Sequence, residues 1–269
     1  MVEWTQRGGE RRSPAIKDVI FLNRNQNRRA GFLDEVRGFA ILCMVVYHVL
    51  FDLKNFYGVN VPVFFDGWFY IVRDVFAGSF IFISGIVCRY SRDNTKRGAQ
   101  CFLLGMAVTF ATAFAAPETP VLFGILHLLG ICMILYGLVG SLWDILPAFA
   151  GIILNVFLFA LTRNVYGGYI GIGGFSLALP EAAYNARLLF PLGFAGDGFV
   201  SGDYFPLLPW FFLFIAGSYF GVYVKDNRCP AFFYETRVRF FAAAGRHTIW
   251  IYLLHQPLAA AVLYLIFKK

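Results

Sequence analysis

Charge is what this sequence has least of. Lys, Arg, Asp and Glu together make up 14% of its 269 residues, too few to wet the surface of a soluble domain of that size, so ordinary soluble packing is excluded. Cysteine is sparse as well. The five, at positions 43, 88, 101, 132 and 229, form no CxxC pair and no cysteine-dense loop, which argues against a disulfide framework and a zinc site. The four histidines show no HxxxH or HxxE spacing, so no metal is expected. No internal repeat is visible, which withholds support from an inverted-repeat transporter. No small-residue cleavage site follows the first apolar segment, and residues 1–34 are expected to form a basic cytoplasmic tail rather than a signal peptide.

What is present is apolar. Hydrophobic residues make up 59% of the chain and the mean hydropathy is +0.64, as in a polytopic membrane protein. Seven apolar runs, near 37–54, 67–88, 99–116, 122–142, 145–163, 205–224 and 247–267, are each long enough, or nearly so, to cross a hydrocarbon core of about 30 Å. The expected fold is all-α: a polytopic membrane helix bundle of about seven transmembrane helices over 35–269, with the N-terminus cytoplasmic. The tail holds seven basic residues, and segments 89–97 and 225–246 hold four and five. The positive-inside rule then puts all three on the cytoplasmic side. That pattern accounts for the net charge of +7 without nucleic acid as a partner. The Gly-rich segment 164–203 becomes a long outward loop with room for a re-entrant piece, and the 27 glycines allow close helix approach.

Ionisable groups at membrane depth are costly and mark interior cavities. In VRGFAILCMVVYHVLFD, Arg37 and His48 are eleven residues apart, which returns to within about 20° of the same helix face over a rise of about 16 Å. Asp52 falls one turn beyond His48 on that face, where a carboxylate can orient the imidazole. The alternatives are a bonded core histidine and a snorkelling arginine. Arg73 and Asp74, neighbours on the second span, point about 100° apart, so each is expected to find a partner on another helix or in a cavity; a structural ion pair is the alternative. His127 opens the fourth span at the same level, and His255 precedes Gln256 and the kinking Pro257 on the last. Arg89, Arg92, Lys96 and Arg97 cluster after the second span, either as phosphate-binding donors or as a plain topology signal.

The blocks LDEVRGFAILCMVVYHVLFD, FIFISGIVCRYSRDNTKRG, FGILHLLG, DYFPLLPWFFLFIAG and GRHTIWIYLLHQPL resemble, in order, those of the bacterial branch of the heparan-alpha-glucosaminide N-acetyltransferase catalytic-domain family. The arginine, ten residues, histidine spacing and Arg89-Tyr-Ser-Arg92 also resemble elements of a broader superfamily of transmembrane acyltransferases. The resemblance implies an acyl-CoA donor such as acetyl-CoA on the cytoplasmic side. It also implies a glycan or amino-sugar acceptor on the far side of the bacterial cytoplasmic membrane. Arg89, Arg92, Lys96 and Arg97 would hold the CoA phosphates. His48 would act as general base with Asp52 orienting it, and His127 or Arg73 would support the oxyanion. An acetyl-histidine intermediate is the second route. Lysosomal animal members do not place their essential histidine at the position matched by His48, so His127 and His255 stay candidates. A proton-coupled transporter or flippase for a small solute or glycolipid would use the same residue types, as would a non-catalytic bundle locked by polar groups. The acceptor, N- versus O-acylation and oligomeric state stay open.

Overall fold

The structure is a computed structural model, and it describes residues 29–62 and 68–267. The basic tail expected over 1–34 therefore lies, through residue 28, outside the described residues. Seven apolar helices form the bundle: α1 (Gly31–Asn55), α2 (Trp68–Cys88), α3 (Asn94–Ala115), α4 (Ile125–Leu138), α5 (Ala148–Thr162), α7 (Leu207–Lys225) and α9 (Thr248–Phe267). Among the described residues, a short α6 (Glu181–Asn185) and the amphipathic α8 (Arg239–Arg246) are the remaining α-helices.

Among the described residues six helical segments are long and apolar enough to cross a membrane, and the protein is a multi-pass membrane protein. The fourth expected span, 122–142, contracts to the 14 residues of α4. At about 21 Å it is short of the hydrocarbon core. Both ends are cut by local structure that apolar content does not reveal. Phe123 pairs with Tyr204 in an isolated bridge before the helix begins, and Gly140–Asp144 turns into a 3-10 helix after it ends.

Helices pack in pairs: α3 on α4, α1 on α8, α2 on α7, and α5 on α7, with α9 against α1. Small residues set the closest approaches. A methyl group added to Gly85 of α2 would run into the Phe214 carbonyl of α7, and one on Gly217 of α7 would run into the Phe82 carbonyl of α2. Gly38 and Gly245 press α1 and α8 together in the same way, against Phe241 and Asp34 carbonyls. Without a hydrophobic drive between helices in lipid, such close packing supplies much of the attraction. Ile81, Leu128, Cys132, Phe214 and Ile215 fill the centre between α2, α4 and α7, each fully buried. Phe110 and Phe114 of α3 and Phe149 and Phe157 of α5 face outward, as lipid-facing residues do.

The segment expected as a long loop is ordered by short elements. Strands β1 (Tyr169–Ile172) and β2 (Phe175–Ala178) make an antiparallel hairpin, followed by α6 and a 3-10 turn over Arg187–Leu192. The Tyr204 hydroxyl donates to the Phe190 carbonyl at 2.6 Å and ties that turn to the start of α7. Each of these pieces is far shorter than a membrane span.

Candidate functional site

A cavity of about 1090 Å³ runs between α1, α2, α3, α4 and the first turns of α9. Its walls are apolar for most of their length, with Phe76, Phe80, Leu104, Leu129 and Leu253 among them. Polar groups gather towards two ends. Arg37, Arg97, Gln100 and Thr248 line one, and His48, Arg73 and Tyr252 line the other.

The shared stripe on α1 is observed: both Arg37 and His48 line the cavity, separated by an axial rise of about 16 Å. The Arg37 side chain turns inward, unlike a snorkelling anchor. Its Nη2 donates to Thr248 Oγ1 at 2.9 Å, its guanidinium lies 5.5 Å from the centre of the Phe80 ring, and its buried Nε has no partner among the described residues.

The basic cluster divides. Arg97 lines the cavity. Arg89 is built into packing instead. Its Nε donates to the Ser218 carbonyl at 2.9 Å, its Nη1 meets Asp144 at 2.5 Å, and it lies over the Tyr136 and Tyr219 rings. Arg92 and Lys96 are exposed and outside the lining; the Lys96 backbone N–H donates to Asp93, which caps α3.

At the other end the pairing differs from expectation. Asp52, 3% exposed, accepts twice from the Gln256 side-chain amide, at 3.0 and 2.8 Å, so its carboxylate is drawn across to α9. The ring that stands beside His48 belongs to His255, with centroids 5.1 Å apart. Arg73 lines the cavity, as one reading of it expected, and it also forms the alternative ion pair with Asp74, at 2.8 Å. Backbone vectors 100° apart do not prevent this, because the long arginine side chain folds back. Asp74 also meets Arg163 at 3.5 Å.

His127 lies outside the lining and is fully engaged. Its Nδ1 accepts from the Gly124 N–H at 3.2 Å, so Nε2 carries the proton and faces Thr109 Oγ1 at 3.3 Å. The ring stacks on Phe123 at 5.6 Å and is 2% exposed. His127 thus caps the start of α4.

The family described as heparan-alpha-glucosaminide N-acetyltransferase, catalytic, matches residues 29–257. The chain belongs to that family. The match runs from the start of α1 through Pro257 and takes in every cavity-lining residue named above. No curated protein and no solved structure matches. Family membership points to a membrane acetyltransferase.

For an acetyltransferase of this family, the residues that sequence reasoning missed are as telling as those it found. Asp203 Oδ2 accepts from the Ile125 backbone N–H and from the Tyr252 hydroxyl, each at 3.1 Å, which joins the loop before α7 to the start of α4 and to the cavity wall. The only available signal was its place at the head of the DYFPLLPW block. Glu35, buried on α1, accepts from the backbone N–H groups of Arg237 and Val238 and fixes the approach to α8.

Burial raises the Asp203 carboxyl pKa; the Ile125 N–H, the Tyr252 hydroxyl and the Arg73 charge oppose the rise but do not cancel it. A folded-state pKa above the unfolded value means that the folded protein binds the proton more tightly. Asp203 then contributes stability that is fully present below the ordinary aspartate value of about 3.9 and is lost as pH rises through the folded value. Asp203→Asn keeps an acceptor for both donors and cannot ionise. Its melting temperature relative to wild type is expected to rise as pH increases from about 4 to 7, measured by thermal unfolding in nanodiscs.

Proposed function

We propose that the protein is an acyltransferase that moves an acetyl group from acetyl-CoA, held on the cytoplasmic side, to a sugar amine or hydroxyl on the outer side of a bacterial plasma membrane. One observation carries this reading: a single cavity has arginines at one end and an imidazole with an arginine at the other. The basic connections 89–93 and 226–238 sit at the arginine end of their helices, and the positive-inside rule makes that end cytoplasmic.

Arg97 and Arg37 meet the phosphates of the donor, and the unpartnered Arg37 Nε is a donor waiting for an acceptor. The apolar walls shield the thioester from water. His48 removes the proton from the attacking amine or hydroxyl, and Arg73 stabilises the oxyanion that forms on the acyl carbon.

Two arginines of equal charge give a contrast that tests the donor site. Arg97→Gln is expected to weaken acetyl-CoA binding about tenfold, in line with losing one charge-assisted hydrogen bond. Arg89→Gln is expected to lower the melting temperature and leave that affinity unchanged, because Arg89 already serves Ser218 and Asp144. Equilibrium binding of labelled acetyl-CoA to protein in nanodiscs measures both. The reading itself is tested by supplying labelled acetyl-CoA with a panel of amino sugars and glycan fragments. Well-folded protein that neither binds nor consumes the donor would refute it, and solute movement without donor consumption would favour transport.

A further inference from the structure

Two imidazoles, those of His48 and His255, meet at one end of the cavity. His255 Nδ1 lies 2.6 Å from the Tyr252 carbonyl oxygen. A carbonyl can only accept, so Nδ1 carries the proton and Nε2 of the neutral ring is left with a lone pair. That Nε2 is buried and has no hydrogen-bond partner among the described residues. A buried acceptor without a donor is costly. The ring beside it is that of His48, tilted by 53°, and His48 lines the cavity.

We infer that His255 is a positioning residue acting through His48. Its Nε2 lone pair draws the N–H of His48 towards α9, which leaves the other nitrogen of His48 unprotonated and turned to the cavity. No hydrogen bond joins the two rings in this structure; when they close to bonding distance the donors point one way, from His48 to His255 to the Tyr252 carbonyl, and a single backbone oxygen sets the direction. This is the part usually given to a carboxylate behind a catalytic histidine. Asp52 is not available for it, since both its oxygens accept from Gln256. Among the described residues, the charged and titratable groups around the pair include Arg73 from α2, Tyr47 and Asp52 from α1, and Tyr252 from α9 itself.

The kinetic consequence rests on the acyl-transfer reading, while the tautomer order does not. In the transfer, the free nitrogen of His48 takes the proton of the acceptor N–H or O–H as that nitrogen or oxygen bonds to the acyl carbon. The carbon–sulfur bond then breaks, and the proton leaves with the thiolate as a thiol. His255 keeps its own proton throughout and shares the charge that forms on His48.

Nitrogen-15 NMR of histidine-labelled protein in nanodiscs reads the tautomers directly. Wild type is expected to show an unprotonated Nε2 on His255 and one tautomer of His48. His255→Phe keeps a ring and removes the lone pair. It is expected to mix the His48 tautomers and lower kcat about 10–100-fold with donor KM unchanged, the scale seen when a partner behind a working histidine is lost. His255→Gln returns an acceptor oxygen near the Nε2 position and is expected to recover part of the rate. A proton on Nε2 of wild-type His255 would overturn the inference, and this holds even if the phenylalanine variant does not fold. Unchanged His48 tautomer and kcat in His255→Phe would overturn it too. The expected tautomers without any acetyl transfer by wild type would refute the function and uphold the ordering.

Discussion

His48→Ala is expected to lower acetyl transfer from acetyl-CoA by about 10²–10⁴-fold, the usual contribution of a positioned general base. Among the described residues His48 is the histidine that lines the cavity, so no second imidazole stands ready to take the proton there. His127 is occupied at Gly124 and Thr109, and the free nitrogen of His255 is buried. Donor affinity should change little, because Arg37 and Arg97 sit about 16 Å away along α1 or on another helix. The expected kinetic signature is therefore a fall in kcat with an unchanged Kd for the donor. The substitution empties a space of imidazole size beside the cavity, and added imidazole is expected to restore part of the rate. Initial rates with labelled acetyl-CoA, run beside thermal unfolding of the same preparation, check this. A full rate in the alanine variant would remove His48 from the chemistry.

Gly217→Leu is expected to be the most damaging single change to the fold. Even one added carbon at this position overlaps the Phe82 carbonyl of α2, which is backbone and cannot rotate aside. The helices would have to part, and Phe214, Ile215 and Ile81 would lose contacts at the most buried point of the bundle. Overpacking ordinarily costs about 1–3 kcal/mol, and the loss of core contacts adds to it, so a total above about 3 kcal/mol is expected. That is a large share of a typical marginal stability of about 5–15 kcal/mol. The yield of monodisperse protein and its melting temperature measure the effect. Gly140→Ala is the control: nothing lies within 4 Å of its added methyl, and it should behave as wild type.

Periodicity and apolar length were enough to find the seven apolar helices among the described residues, six of them long enough to span, and the Arg37–His48 stripe, because both depend on spacing within one segment. The shortness of α4 was not legible, since its start is set by Asp203 and His127 and only the folded chain brings Asp203 to it. Partner choice was the least legible feature. Gln256 reaches Asp52 across 204 residues of sequence, and the spacing of Asp52 from His48 pointed to a nearer partner that the carboxylate does not take. Arg89 and Arg97 read alike as charges in one cluster, yet packing against Ser218 and Asp144 absorbs the first and leaves the second at the cavity. For Arg73 and Asp74, the divergent Cα–Cβ bonds pointed correctly to the cavity and to Arg163, but gave no sign of the mutual pair, which the reach of the arginine side chain makes.

The glycine contacts also decide where this molecule can move. Backbones that already touch, α2 with α7 and α1 with α8, have no slack to slide or spread, and they behave as two stiff ribs. The cavity lies in the seam where α3 and α4 meet the group of α1 and α9. Two walls of the cavity, α1 and α2, are thus each braced from behind, by α8 and by α7.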